Sequence, residues 1–193
     1  MTTFDEVTLP TPRLVLRPLR EADASALFAI FSDPRVARYL SRPAWPTIST
    51  AHERIARDID ALAACRYLCL GLERKEDQAL IGECSLFNLF PQCRRAEMGY
   101  SLGADCWGQG YMTEALTALL DFGFSQLALN RVEADIDPRN ELSAKSLERL
   151  GFKKEGHLRE RWIVAGEVSD SGLYGLLGRE WQARGEQLAI RRA

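Results

Sequence analysis

Apolar and polar positions along the chain follow two periods, and blocks of one period alternate with blocks of the other. Residues 13–19 set Leu14, Leu16 and Pro18 against Arg13, Val15 and Arg17, which predicts a strand. Ala24, Leu27, Phe28 and Phe31 then recur at helix spacing over 22–31, and Ser32-Asp33-Pro34 ends that helix. A short helical piece is expected over 35–40. A longer helix is expected to start near Thr50, where Glu53 completes a capping-box pattern. Ile48, His52, Ile55, Ile59 and Leu62 share its apolar face, while Arg54, Arg57, Asp58 and Asp60 read as its solvated face. Strands follow at 67–73, 80–90 and 96–102, joined by turns at 74–78 and 91–94. The strongest helix begins at Met112, with Ala115, Leu116, Leu119, Leu120, Gly123 and Leu127 on one stripe and Thr113, Thr117 and Asp121 opposite. Val132, Ala134 and Ile136 alternate with charged residues over 131–137, a fifth strand. Asp137-Pro138-Arg139-Asn140 opens a short helix, and Leu150-Gly151-Phe152 closes it with Gly151 as a left-handed cap. A hairpin over 153–163 and 167–177 turns at Ala165-Gly166, and 179–192 reads as a terminal helix or tail.

Short turns force antiparallel neighbours, whereas the strand-helix-strand unit across 96–137 forces a parallel pair by a right-handed crossover. The expectation is an α/β (mixed α+β) fold. It is a twisted, mixed but mainly antiparallel sheet of about seven strands with helices on both faces, one domain over residues 1–193. A doubly wound sheet would need more crossovers.

Bulk properties narrow the function. Hydrophobic residues make up 46% of the 193 and charged residues 27%, an ordinary globular balance. The formal charge of −2 offers nothing to a nucleic acid. No apolar run nears the roughly 20 residues of a membrane span, and the first ten residues lack the pattern of a signal peptide. The five cysteines (65, 69, 84, 93 and 106) form no C-x-x-C pair, and there are two histidines, so the reading is reduced thiols, no metal and a cytoplasmic location. Monomer and homodimer both stay open.

Gly108-Gln109-Gly110 sits where a loop becomes the 112–127 helix. Glycines let backbone approach a ligand, and the free N–H groups of a helix start attract anions. The same glycines would also serve as plain turn punctuation. A P-loop fails, because Tyr111 and Met112 follow Gly110 in place of Lys and Ser/Thr. A dinucleotide fingerprint finds two of its three glycines at Gly108, Gly110 and Thr113.

Taken together, GYSLGADCWGQGYMTEAL and DPRNELSAKSLERLGFKKEG resemble the GNAT family of acetyl-CoA-dependent N-acetyltransferases. The likeness covers about residues 12 to 181 and is nearest to the branch that acetylates ribosomal-protein N-termini. The family's Q/R-x-x-G-x-G/A loop falls on Asp105-Cys106-Trp107-Gly108-Gln109-Gly110, with Asp105 where the family has Gln or Arg. The resemblance implies a coenzyme A pyrophosphate cradle at Gly108, Gln109, Gly110, Tyr111, Met112 and Thr113. It implies a pantetheine arm lying beside Tyr100, Ser101 and Leu102, in a gap opened by a bulge near Gly103. Asn140, Ser143 and Ser146 complete the implied cofactor contacts, with Asn140 equally suited to cap a helix.

Amine acetylation also needs a base and a partner for the leaving thiolate. Many relatives carry a tyrosine acid where this chain has Leu147, so Ser143 or a water takes that role here, with Ser146 a weaker candidate. Glu97 is the candidate base and Glu83 the second choice, a solvent-facing Glu97 being the alternative. Tyr39 and Trp45 are candidates for the acceptor wall or for core cover. The expected acceptor is a protein N-terminal amine. The alternatives are a small amine (polyamine, aminoglycoside, amino-acid derivative) or an idle acyl-CoA-binding module.

Overall fold

The computed structural model describes residues 4–190. One eight-stranded sheet runs in the order β1-β2-β3-β4-β5-β6-β8-β7. Its strands are β1 (Leu9–Pro10), β2 (Leu14–Arg17), β3 (Leu68–Arg74), β4 (Leu80–Phe90), β5 (Arg95–Leu102), β6 (Arg131–Ile136), β7 (Lys153–Val164) and β8 (Glu167–Leu177). Every neighbouring pair is antiparallel except β5 and β6. Seven strands match the predicted ones. The eighth, β1, pairs only Leu9 with Leu16 and Pro10 with Val15, too short a run for a period of two to show.

The helices are α1 (Ala24–Ser32), α2 (Pro34–Ala37), α3 (Ile48–Ala63), α4 (Tyr111–Ser125), α5 (Glu141–Leu150) and α6 (Gly178–Ile190). On one face, Leu27, Phe31, Ala51 and Ile55 pack with Cys69. On the other, Leu116, Leu119, Leu147 and Leu150 pack with Leu70, Leu86, Met98 and Val132. β3 is buried on both faces, so its middle reads Leu68-Cys69-Leu70-Gly71-Leu72 without alternation. α6 is tied to α4 by Trp181 Nε1, which donates to Asp121 at 2.7 Å.

α3 departs from expectation in an informative way. It begins at Ile48 with Thr47 as N-cap, and no side chain caps it, so Thr50 and Glu53 lie inside the helix and form no capping box. Its buried residues are Ala51, Ile55, Asp58, Ala61 and Leu62. Ile48, Ile59 and His52 are exposed instead. The helix is turned toward Asp58 because that carboxylate has strong partners inside, described below.

Candidate active site

The site is organised by a parting of two strands. β5 pairs with β6 only at Arg95–Arg131, Ala96–Val132 and Glu97–Glu133. Beyond Glu97, β5 continues to Leu102 against β4, and β6 continues to Ile136 against β8. The two strands therefore diverge into a gap with an unpaired backbone edge on each side. Gly103 N–H donates to Ile81 O at 2.8 Å, toward β4. By strand alternation the N–H groups of Tyr100 and Leu102 point the other way, into the gap. A bulge at Gly103 was the expected cause, but the β4–β5 register shift lies at Phe87/Phe90. Gly103 itself has φ −54° and simply opens a 3-10 turn, Ala104–Cys106. The divergence comes from each strand following its own antiparallel partner under the usual sheet twist.

That turn leads to the cradle. Gly108 and Gly110 have φ +73° and +80°, the left-handed region that favours glycine. A Cβ on Gly108 would meet no atom within 4 Å, so its backbone borders open space. Gly110 is the N-cap of α4 and supplies no side-chain cap. The first-turn N–H groups of Tyr111, Met112 and Thr113 are thus left for an anion. The side chains there have other duties. Tyr111 and Met112 are buried in the core. Gln109 Nε2 folds back onto Asp105 O at 2.9 Å, while Arg13 Nη1 donates to Gln109 O at 2.9 Å. Arg13 also pairs with Glu114 at 2.7 Å and lies over the Tyr111 ring, which pins the loop to α4. Asp105 points outward toward Arg35. The cradle is therefore a backbone device, and it fits a pyrophosphate without help from residue 105.

α5 closes the other side of the gap. Asn140 Oδ1 accepts from Ser143 N–H at 3.1 Å, so Asn140 does cap the helix while also lining the cavity. Ser143 is buried at 8% exposure, and its Oγ lies 2.6 Å from the Tyr100 hydroxyl. Burial pushes the Tyr100 hydroxyl up to about 12, and the Ser143 hydrogen bond draws it partly back. Tyr100 is thus a neutral O–H donor at physiological pH. Sequence reasoning had assigned Tyr100 to the pantetheine wall; its partnership with Ser143 was not visible across 43 residues. Ser146 is not brought to the site, because its hydroxyl donates to Leu142 O at 2.8 Å on its own helix. Leu147 is fully buried.

Glu97 is half-buried, borders the cavity and accepts from Asn88 Nδ2 at 3.1 Å. Cross-strand pairing of Glu97 with Phe87 and Ser101 with Glu83 puts all four on one face, the face toward α2 and α3. Glu83 is already engaged. Arg54 Nη2 donates to Glu83 Oε1 at 3.3 Å, and Cys69 Sγ lies 3.8 Å from Glu83 Oε2. Arg54 Nε also reaches both oxygens of Asp58 at 2.8 and 2.7 Å, and Tyr67 O–H donates to Asp58 at 2.6 Å. Asp58 is wholly buried. Arg54 and Asp58 therefore belong to the interior, contrary to the solvated face expected of them. Ligand atoms of Asp58, Cys69 and Glu83 lie within 4.8 Å of one another, yet the Arg54 guanidinium bonds to all three and meets the charge there. Of the two aromatic candidates, Tyr39 lines the cavity, whereas Trp45 is buried and stacks on Phe31 at 4.6 Å as core cover.

The cavity that joins these walls measures about 1180 Å³ and runs from α2 and the following loop across β4 and β5 to α5 and the β7–β8 hairpin. A parted parallel pair, a glycine-ended helix and a buried hydroxyl pair at the far wall together describe an acyl-coenzyme A transferase. Residues 13–153 match the acetyltransferase (GNAT) domain. The chain belongs to the GNAT family of acetyl-CoA-dependent N-acetyltransferases. It is 38% identical over 90% of its length, and 98% of the relative's, to the uncharacterized N-acetyltransferase p20 of Bacillus licheniformis. It is 28% identical to the [ribosomal protein uS5]-alanine N-acetyltransferase of Escherichia coli K12, covering 91% of this chain and 93% of that one. Among solved structures, the ribosomal-protein-S5-alanine acetyltransferase of Vibrio fischeri superposes with TM-score 0.80 at 26% identity, over 91% and 99% of the two chains. Among the described residues no helix is long and apolar enough to cross a membrane.

Proposed function

We propose that this protein acetylates the α-amine of a protein N-terminus by direct attack in a ternary complex, in the cytoplasm. One observation carries the reading. The cavity of about 1180 Å³ exceeds the roughly 300–1,000 Å³ of ordinary small-molecule pockets, and leaves room for a peptide end beside the pantetheine arm. The resemblance to the uS5-alanine acetyltransferase supports the same acceptor class.

The residues divide the work as follows. Acetyl-CoA supplies the activated acyl group when bound. The α4 N-terminus holds its pyrophosphate, and the Tyr100 and Leu102 backbone groups hold its arm as an added strand would. Tyr100 N–H, the nearer of the two to Glu97 and to Ser143, serves as the donor for the oxygen on which negative charge grows. Glu97 takes the proton from the incoming ammonium, directly or through water. Ser143 donates its hydroxyl proton toward the departing thiolate, and the Tyr100 hydroxyl 2.6 Å away, a contact that can run either way, turns its O–H to Ser143 at that step. Glu83 is excluded as the working base in this scheme, because Arg54 holds it.

Two measurements test this. N-terminal peptides and small amines, compared at equal concentration with acetyl-CoA, should show turnover favouring the peptides. Turnover of small amines alone would overturn the acceptor class and leave the cofactor site untouched. Ser143→Ala should lower kcat by roughly tenfold to a hundredfold, the range for one hydrogen bond to a developing charge. Tyr100→Phe should cost less, since it removes the backing donor only. Full turnover in Ser143→Ala, with chemistry limiting, would give the thiolate to water.

A further inference from the structure

The charges around the cavity are not all answered from within. Arg139 is bonded to Asp137 and to Glu167, each at 2.6 Å. Arg54 is bonded to Asp58 and Glu83. Arg42, in the loop between α2 and α3, is different. Its nearest carboxylate oxygen among the described residues is Glu83 Oε1 at 3.9 Å, beyond hydrogen-bond range, and that oxygen already takes its bond from Arg54. Its guanidinium lies 4.6 Å from the Phe31 ring centroid and 5.5 Å from that of Trp45. The stacked pair Phe31–Trp45 is part of the core, so the platform beneath Arg42 is fixed. A guanidinium held against aromatic faces keeps its N–H edges free.

The surroundings make that free edge consequential. The Arg42 side chain keeps 37% of its surface exposed, and burial of the rest followed by the nearby Arg54 charge lowers its pKa, though a guanidinium stays protonated. A cation held on a fixed platform, lining the cavity and with its nearest carboxylate already bonded to Arg54, is placed to take an incoming anion. Arg38 and Arg66 also line the cavity and, among the described residues, carry no ion pair, while Glu97 and Asp135, likewise without one, lie on β5 and β6 beside the gap. The cavity wall thus offers unpaired cations and unpaired acids. An α-amine belongs beside the acids of the gap; a polyamine would set one of its ammonium groups against Arg42.

We propose that Arg42 is an anion-recognition residue of the acceptor pocket, and that the preferred acceptor carries a carboxylate within a few residues of its reacting amine. This rests on the N-terminal acceptor reading for the peptide form of the ligand, but the carboxylate itself could come from an acidic side chain or from a free amino acid.

The probes are two peptides that differ only by aspartate against asparagine at their second and third positions, with glutamate and its amide as the small-molecule pair. The acidic peptide should be preferred by roughly tenfold or more in kcat/KM, expressed mainly in KM, as for one charge-assisted bond. In Arg42→Gln that ratio should fall to near one. Arg42→Lys, which keeps the charge and loses the two-pronged geometry, should fall in between. Equal kcat/KM for the acidic and amide peptides in the parent protein, or an unchanged ratio in a folded Arg42→Gln, would overturn the proposal. Thermal midpoint and coenzyme A affinity report whether the variant is folded. If peptides fail and glutamate alone is acetylated, with its preference over the amide lost in Arg42→Gln, the N-terminal reading falls and Arg42 stands.

Discussion

Glutamine in place of Glu97 should lower kcat by roughly a hundredfold to ten-thousandfold, the usual worth of a positioned general base, while coenzyme A affinity stays as it was. The separation is expected because Glu97 stands on the β4–β5 face toward α2 and α3, whereas the pyrophosphate cradle is built from backbone at the start of α4. The substitution is nearly isosteric, so the Asn88 contact can be kept by the new amide's oxygen. Glu83→Gln offers the contrast. It should perturb the Arg54 network, and hence stability, more than it lowers kcat. A Glu97→Gln protein with near-normal rate from about pH 6 to 9 would mean that the enzyme captures the neutral fraction of its amine unaided.

Asp58→Ala should destabilise the protein by about 3–5 kcal/mol, read as the urea midpoint at constant slope. Asp58 is fully buried, receives two bonds from Arg54 and one from Tyr67, and its loss leaves the Tyr67 hydroxyl and Arg54 Nε without an acceptor while Arg54 keeps Glu83. The Tyr67 hydroxyl, pushed up to about 12 by burial and the Asp58 bond, cannot ionise to adapt. Glu141→Ala provides a control of the same formal kind. Its i,i+4 partner Lys145 is 59% exposed, and Glu141 itself 79%, so the midpoint should hardly move. A small shift for Asp58→Ala would mean that water enters and solvates the freed donors.

The two pairs show why sequence reading succeeds in one place and fails in another. Arg54–Asp58 and Glu141–Lys145 have the same spacing, and spacing alone suggests a surface pair in both cases. What distinguishes them is Tyr67 and Glu83, which arrive from β3 and β4 after the chain has folded. Features written in consecutive residues were legible: the α4 stripe, the glycine loop that opens α4, the Asn140 cap and the left-handed Gly151. The topology followed from loop lengths, including the one parallel pair. Features made by distant residues were not, as the Tyr100–Ser143 hydroxyl pair shows. Trp45 was ambiguous because a loop tryptophan packs inward or outward according to where Phe31 stands. Strand β1 escaped because two residues carry no period.

The parallel seam between β5 and β6 also has leverage. It holds three residue pairs, and it is clamped at that end by Arg95 and Arg131 on Glu133 and by Arg131 on Glu155. From Glu97 to Leu102 β5 runs five residues past the seam, about 16 Å at strand rise, held on its β4 side alone. An angular change of about 3° at the seam therefore moves the far rim of the gap by about 1 Å, enough to matter to a group that must sit against Leu102. A substitution among the clamp residues would act on the width at the rim like a hand at the pivot of a pair of tongs, without touching anything the tongs hold.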